Sequence, residues 1–236
     1  MFDIRRRAGV LQLHAPGMDC LSSTFDGGFG GADAVYAATV PSGWDRTDLA
    51  AYADERRAAA GFAAPGPMLL TGVALDHARL ARADGVIVCA TARISNPAAL
   101  PMTPGGVAAR RTDERPPAGT VNFVVGTDRA LDDAGLATLF GVAVEAKAAT
   151  LVAETGYPGT TSDAAVVACD PDGEPAAFAG SATPVGDAAR ACVRDAVRAS
   201  LASRYPDGKY PASVAAAEHG VVTDRETTTA TIPNHQ

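Results

Sequence analysis

A long apolar segment, residues 131–154, constrains the fold of this chain more than any other feature. At 3.6 residues per turn it predicts an α-helix of more than about five turns, and Asp132 and Asp133 complement its dipole. Apolar runs at 119–126 and 164–169 flank it and have the length of buried strands. Polar groups inside these apolar segments conflict with their surroundings, and such conflicts are expected at functional sites.

The remaining elements follow from the same patterns. Thr183 followed by Pro184 is a preferred helix start and predicts a second long helix over 184–204. Apolar runs and turn signals predict three more strands, of which the last two are buried, two further helices, a peripheral strand or arm and a hairpin. The strands lie at 34–40, 68–75 and 85–91, and the helices at 47–61 and 76–83. The peripheral strand or arm lies within 1–20, and the hairpin at 164–179.

Together these elements predict an α+β fold in a single domain. We expect a mixed or antiparallel sheet of about six or more strands, covered by the helices at 131–154 and 184–204 and by shorter ones. The domain is expected to span 1–204, and residues 205–236 to form a partly disordered C-terminal extension. A chain of 236 residues buries roughly 70% of its unfolded surface.

The charges narrow the classes of function. A net charge of −7 leaves no basic face for phosphates, so we expect no nucleic-acid partner. The 20 basic residues are 18 arginines and two lysines, and the 27 acidic residues are 20 aspartates and seven glutamates. This balance is typical of proteins from salt-adapted archaea, and a GC-rich genome would produce it equally well. Because lysine is scarce, Lys147 in the middle of a helix stands out.

Cysteine and histidine spacing does not support a zinc site. The four cysteines form no C-x-x-C pair and lie mainly in apolar runs, which predicts reduced core residues. No cofactor is evident, and the sequence does not decide whether a metal is required. No apolar run reaches the ~20 residues of a membrane span, and none follows the basic N-terminus. We therefore expect a cytoplasmic protein without a membrane partner, with a homo-oligomer as an open alternative.

Helical phasing separates the two charges in the long helix. At 100° per residue, Lys147 points about 200° away from Glu145. Glu145 lies on a face of small residues and is either a site carboxylate or a structural one bonded to backbone or arginine. Lys147 either packs its stem on Phe140 and reaches Glu154 or solvent, or serves the site.

Other polar positions also leave two interpretations open. Thr120 and Asn122 share one face of a strand and either bind a neighbouring loop or orient a substrate amide. The hydroxyl-rich turn 160–163 either satisfies its own backbone or supplies a nucleophile. The turn at Ser95 and Asn96 has structural and binding interpretations of equal weight.

Glycines cluster at 26–31, after a run that ends in serine and threonine. A glycine loop can cradle phosphate, but no G-K-[ST] is present and Asp33 occupies the sixth position of a G-x-G-x-x-G frame. The nucleotide interpretation is therefore weak. A turn at Gly27 and Gly28 that lets a ligand or another backbone approach closely is favoured.

Six short motifs follow one another along the chain: LSSTFDGG at 21–28, TARISNP at 91–97, GTVNFVV at 119–125, EAK at 145–147, GTTSD at 159–163 and AGSATPVG at 179–186. In this order and spacing they resemble the adenosylcobinamide amidohydrolase family. The resemblance covers about residues 20–204. This chain departs from the family's pattern at Arg93, where many members have glycine, and at Val144, where many have threonine. The first departure adds a positive charge near the predicted site, and the second removes a hydroxyl.

The resemblance implies hydrolysis of the amide that joins the aminopropanol arm of adenosylcobinamide to the corrin ring. The products are adenosylcobyric acid and 1-amino-2-propanol, in archaeal salvage of corrinoids for cobalamin biosynthesis. The corrinoid is then a substrate and not a bound cofactor. The alternatives are a non-catalytic corrinoid- or nucleotide-binding protein on the same scaffold and a hydrolase of another amide.

The physical interpretation of the residues gives the site hypothesis. Glu145 acts as general base or orients the attacking group, Thr161 or Ser162 is the nucleophile with Asp163 orienting it, and Lys147 protonates the leaving amine. The loop 95–117 and the glycine turn accept the corrin face. Substrate binding is assigned to the remaining positions: Thr120, Asn122, Gly27, Gly28, Ser95 and Asn96.

Overall fold

One large sheet organises the protein, and the computed structural model describes residues 2–41, 43–104 and 120–232. The strands are β1 (Asp3–Arg7), β2 (Val10–Ser22), β3 (Gly28–Thr39), β4 (Met68–Thr71), β5 (Arg79–Ala83), β6 (Val86–Ala92), β7 (Ala98–Ala99), β8 (Val121–Ala130), β9 (Ala164–Pro175) and β10 (Val221–Val222). The sheet has the order β4-β3-β2-β9-β8-β6-β5, with β1 paired to β2, while β7 and β10 form a separate parallel pair. Because β3–β4 and β8–β9 are parallel and the other pairs are antiparallel, the sheet is mixed.

Three helices cover the sheet: α1 (Leu49–Ala59), α2 (Asp133–Thr155) and α3 (Pro184–Arg204). The side chain of Asp132 accepts a hydrogen bond from Gly135 N at the start of α2, and Gly156 ends that helix in the left-handed conformation. Thr183 caps α3 in the same way. The predicted α+β fold in a single domain with two long helices is confirmed.

The side chains on the two faces of β8 pack into two different hydrophobic cores. Val121, Phe123 and Val125 belong to the buried cluster that packs under α2 and α3. Val124 belongs to a second cluster that includes residues of β2 and β3 and lies on the other face of the sheet. Because side chains alternate along a strand, the side chain of Asn122 lies on the same face of the sheet as Val124, beside the second core.

The sheet curls until strands from its two halves meet. Asn122 Nδ2 of β8 donates to Leu70 O of β4 at 3.0 Å, although three strands lie between β4 and β8 in the sheet order. Thr71 Oγ1 and Thr91 Oγ1 lie 3.4 Å apart across the same junction. Polar groups therefore gather where the curled sheet closes, beside the second core.

Two predicted elements are wrong because strand pairing overrides local propensity. Residues 76–83 were predicted as a helix, yet only Leu75–His77 make a 3-10 turn and β5 pairs along its whole length with β6. The hairpin predicted within 164–179 is absent. Strand β9 continues to Pro175, and its pairing with β8 resumes after a register shift.

The predicted arm within 1–20 is also wrong in its peripheral placement. Strand β2 lies in the middle of the sheet, between β3 and β9. Its alternation was visible in the sequence, but its neighbours come from distant parts of the chain. The place of a strand in the sheet depends on the strands with which it pairs and not on where it lies along the chain.

By length and composition alone, α2 is long and apolar enough to cross a membrane, contrary to the prediction that no apolar run has the length of a membrane span. In the structure this helix packs against α3 and β9. Its buried residues include Leu136, Leu139 and Leu151. The core helix of a folded protein meets the same criterion of length and composition.

All four cysteines are free and buried, as predicted. Burial raises the pKa of the Cys89 thiol to about 12, and it also raises the pKa of Cys20, Cys169 and Cys192. Only the thiolate reacts readily with alkylating reagents. These thiols are therefore protected both by packing and by protonation.

We expect the native protein to resist thiol labelling at pH 8, because every thiol is buried and has a raised pKa. After denaturation, four thiols per chain should react within the same time. Mass spectrometry of the alkylated protein measures the number labelled. Rapid modification of any cysteine in the native protein would contradict this placement.

Candidate active site

Polar side chains from three segments meet at the end of the sheet where strands β8 and β9 begin. The segments are residues 95–98, 120–122 and 159–164. Parallel pairing places the starts of β8 and β9 side by side, with Asn122 opposite Ala164. Residues that are far apart in the sequence are thereby brought into one cluster.

A buried ion pair lies at the centre of this cluster. Lys147 Nζ is 2.7 Å from Asp163 Oδ2, and the two side chains are only 9% and 14% exposed. Asp163 also accepts hydrogen bonds from Val121 N at 2.9 Å and Thr160 N at 3.1 Å. The Thr160 hydroxyl makes a further hydrogen bond to Asp163 Oδ1. The carboxylate thus joins α2, β8 and the 159–163 turn.

The interpretation of Lys147 as reaching toward Glu154 or solvent is wrong. Glu154 pairs instead with Arg198 of α3 at 2.6 Å. The phasing was correct, since Lys147 and Glu145 lie on different sides of α2. Phasing could not show that the turn after α2 folds back and presents Asp163 to the lysine.

Gly159 makes room for the ion pair. A Cβ at this position would lie 2.7 Å from Asp163 Oδ2 and 3.0 Å from Lys147 Nζ. Real Cβ atoms essentially never show a contact as short as the one with Asp163, and the contact with Lys147 is also tight. Any larger residue at 159 would therefore displace one partner of the pair.

Asn96 connects the 95–98 segment to the hydroxyl turn. Its side chain is fully buried, and Nδ2 lies 2.5 Å from Thr161 Oγ1 and 3.5 Å from Ser162 Oγ. Thr161 N donates to Asn96 O at 3.1 Å, and Ser95 Oγ donates to Asn96 Oδ1 at 3.4 Å. Ser95 and Asn96 thus support the turn from behind.

Thr120 and Asn122 are engaged within the protein. Thr120 Oγ1 lies 2.8 Å from Asn122 Oδ1 and 2.6 Å from Ser162 O. Asn122 Oδ1 also accepts from Ala164 N at 3.1 Å, and its amide donates to Leu70 O. Of the two interpretations, the structure therefore shows hydrogen bonding to neighbouring segments.

A cavity of about 510 Å³ opens beside the cluster. Ser162 and Asp163 form part of one wall. The rest is mostly apolar with a few hydroxyl and carboxyl groups, a composition common in ligand pockets. The other lining residues are Ser23, Thr24, Phe25, Val40, Trp44, Asp45, Thr47, Leu49, Met68, Leu69, Leu70 and Ala164.

The glycine turn borders the cavity without lining it. A Cβ on Gly27 would lie 2.4 Å from Ser22 O, and Gly28 has φ +121°. These glycines let the chain turn back on its own backbone between β2 and β3. The preceding residues Ser23, Thr24 and Phe25 then form the cavity wall.

Glu145 is not brought into the cluster. Its carboxylate pairs with Arg190 of α3 at 2.6 Å, and its side chain is 63% exposed. This matches the interpretation of a structural carboxylate bonded to arginine. The charge of Arg93 is likewise compensated, because Arg93 pairs with Glu218 at 2.9 Å. Val144 packs against the core under α2 and α3.

Sequence reasoning missed the far wall of the cavity. Trp44 and Asp45 were not singled out, and Phe25 entered only as part of the motif at 21–28. The one available signal was the sole tryptophan of the chain, placed in a polar Pro- and Gly-containing turn. Within 2–41, 43–104 and 120–232, no group of three or more potential ligands could hold a metal ion.

Replacing Lys147 with methionine should lower the free energy of unfolding by about 3 kcal/mol or more, because Asp163 would stay buried without its cation. Asp163→Asn should cost a similar amount, and the double variant less than the sum of both. Chemical denaturation measures all three. Arg198→Met, which breaks an exposed pair, is the control and should cost less than about 1 kcal/mol. Additive losses would contradict direct coupling.

Comparison with known proteins agrees with the motifs. The family model for adenosylcobinamide amidohydrolase matches residues 2–208. A curated adenosylcobinamide amidohydrolase from Halobacterium salinarum is 57% identical over 226 residues, which is 95% of this chain and 96% of that protein. No solved structure matches the chain. On these matches the chain belongs to the adenosylcobinamide amidohydrolase family.

Proposed function

We propose that this protein is an amide hydrolase that cleaves the aminopropanol amide of adenosylcobinamide in corrinoid salvage. The products are adenosylcobyric acid and 1-amino-2-propanol. The observation that carries this function is the 57% identity to the Halobacterium enzyme over nearly the whole length of both chains. The archaeal source of that relative agrees with the composition expected of a salt-adapted archaeon.

The reaction is placed at the wall of the cavity that holds Ser162 and Asp163. Amide hydrolysis needs an attacking oxygen, and Ser162 is the exposed hydroxyl of the turn that lines the cavity. Thr161 is not among the lining residues. Ser162 is therefore the better candidate to attack the carbonyl or to hold the attacking water.

Asp163 connects the cavity to Lys147. Asp163 lines the cavity, whereas Lys147 lies behind it and touches the carboxylate at 2.7 Å. In this proposal the pair positions the turn, and any proton from Lys147 to the leaving amine passes through Asp163. Lys147 does not meet the substrate directly.

The cavity admits only part of the substrate. Its volume of about 510 Å³ suits a drug-sized group, while adenosylcobinamide is much larger. The aminopropanol amide and its surroundings would enter. The broad corrin face would remain outside, near the exposed rings of Phe25 and Phe29. We further propose a cytoplasmic enzyme with no nucleic-acid or membrane partner, and homo-oligomerisation stays a prediction.

The reaction assay separates hydrolysis from simple binding. Incubation with adenosylcobinamide should release adenosylcobyric acid and 1-amino-2-propanol, identified by mass. A parallel reaction with a chelator tests for a metal requirement. Tight binding of adenosylcobinamide without release of either product would favour the non-catalytic binding protein. Turnover of a different amide alone would favour the other hydrolase.

Ser162→Ala should reduce kcat by at least about a hundredfold while the fold is retained, because the side chain is exposed and its loss opens no core cavity. Thr161→Val is the matched control, since it removes the neighbouring hydroxyl outside the cavity. We expect a smaller effect there. Equal losses in both variants would show that the turn as a whole matters and not the Ser162 hydroxyl.

Glu145→Gln decides between the sequence hypothesis and the placement in the structure. If Glu145 is the general base, the variant should bind the corrinoid as before but no longer hydrolyse it. The position of Glu145 in the structure predicts near-normal turnover, because its side chain is exposed and pairs with Arg190. Steady-state kinetics with adenosylcobinamide measures the outcome. A fall of about a hundredfold or more would return Glu145 to the mechanism.

A further inference from the structure

The extended segment 95–99 carries hydrogen bonds on both of its edges. On one edge, Ala98 N donates to Gly159 O at 2.9 Å, and Pro97 forms a bridge with Thr160. This edge holds the turn that contains Ser162. The other edge of the segment pairs with a second extended segment.

Residues 213–223, which we name the C-terminal strap, occupy that second edge. His219 N donates to Ser95 O at 2.9 Å, Val221 N to Pro97 O at 3.0 Å and Thr223 N to Ala99 O at 2.9 Å. The last two bonds belong to the pairing of β10 with β7. Residues 213–223, which belong to the extension predicted for 205–236, are thus bonded to the domain.

We propose that the C-terminal strap is a positioning element for the hydrolytic site, a role that rests on the function proposed above. It fixes Ser95, Asn96 and Pro97, and Asn96 in turn holds Thr161 and approaches Ser162. The strap reaches the reacting atoms only through this segment. Its residues are positioning residues and touch no substrate.

Backbone pairing carries most of this effect. The ion pair between Arg93 and Glu218 is partly exposed, at 28% and 56%, and exposed pairs contribute little. Without the strap, the carbonyls of Ser95, Pro97 and Ala99 would lose their donors. The strap also lies beyond residue 208, where the match to the family model ends, so the family model does not describe this positioning device.

Gly220 offers a point substitution that displaces the strap without shortening the chain. A Cβ there would lie 2.9 Å from Pro97 O and 2.8 Å from Val214 Cγ1. Because Pro97 O is a backbone atom, the added Cβ must push the strap and the segment at Pro97 apart. Gly141 in α2 is the matched control, since a Cβ there meets nothing within 4 Å.

The test compares Gly220→Ala with Gly141→Ala and wild type in steady-state kinetics with adenosylcobinamide. Gly220→Ala should lower kcat about tenfold or more, with KM nearly unchanged and Tm within about 3 °C of wild type. Gly141→Ala should keep wild-type kinetics. Val221→Pro, which removes one of the bonding N–H groups, should reproduce the fall in kcat.

Hydrogen exchange of the amides at 98 and 161 reports whether the turn has loosened, independently of turnover. Faster exchange in Gly220→Ala together with a selective fall in kcat supports the proposal. Faster exchange with unchanged kcat would overturn it, and so would a loss of activity that only follows a loss of folded protein. If the wild-type protein releases no adenosylcobyric acid, the proposed function fails. Exchange that stays at the wild-type rate in both strap variants would reject the strap's positioning role separately.

Discussion

The ion pair between Lys147 and Asp163 is the interaction on which the candidate site depends. Two charges buried this deeply are costly unless each finds its partner and further hydrogen bonds. Asp163 finds Lys147 on α2, the backbone of β8 and Thr160 in its own turn. Gly159 leaves the space that this requires. The pair thus determines where the hydroxyl turn lies relative to the sheet.

A connected polar network extends outward from that pair. Thr120 and Asn122 tie the starts of β8 and β9 to β4, and Asn96 ties the turn to the segment at 95–99. A fully satisfied buried network is rigid and specifies one arrangement. The network holds the turn so that Ser162 lies at the cavity wall. Rigid support around an accessible hydroxyl is the kind of positioning that hydrolysis would require.

Much of the fold was predictable because its strongest signals are local. The caps at Asp132 and Thr183 and the apolar length of 131–154 fixed the two long helices. The errors at 76–83 and 164–179 arose where strand pairing with a distant partner outweighed local propensity. For the site, the motifs identified the turn and its hydroxyls. Trp44 carried no motif, and the motif that contains Phe25 did not show that this residue lies beside the cavity. Both required the tertiary structure.

The sequence by itself determined the family, the two long helices, the buried cysteines and the opposite facing of Glu145 and Lys147. Each of these follows from residue order, composition or helical period, which need no knowledge of distant neighbours. Only the tertiary structure decided that Lys147 meets Asp163, that Glu145 meets Arg190 and that the C-terminal strap pairs with residues 95–99. These contacts depend on how the sheet curls and on which segments it brings together, because an ion pair or a strand edge is completed by a partner far away in the chain.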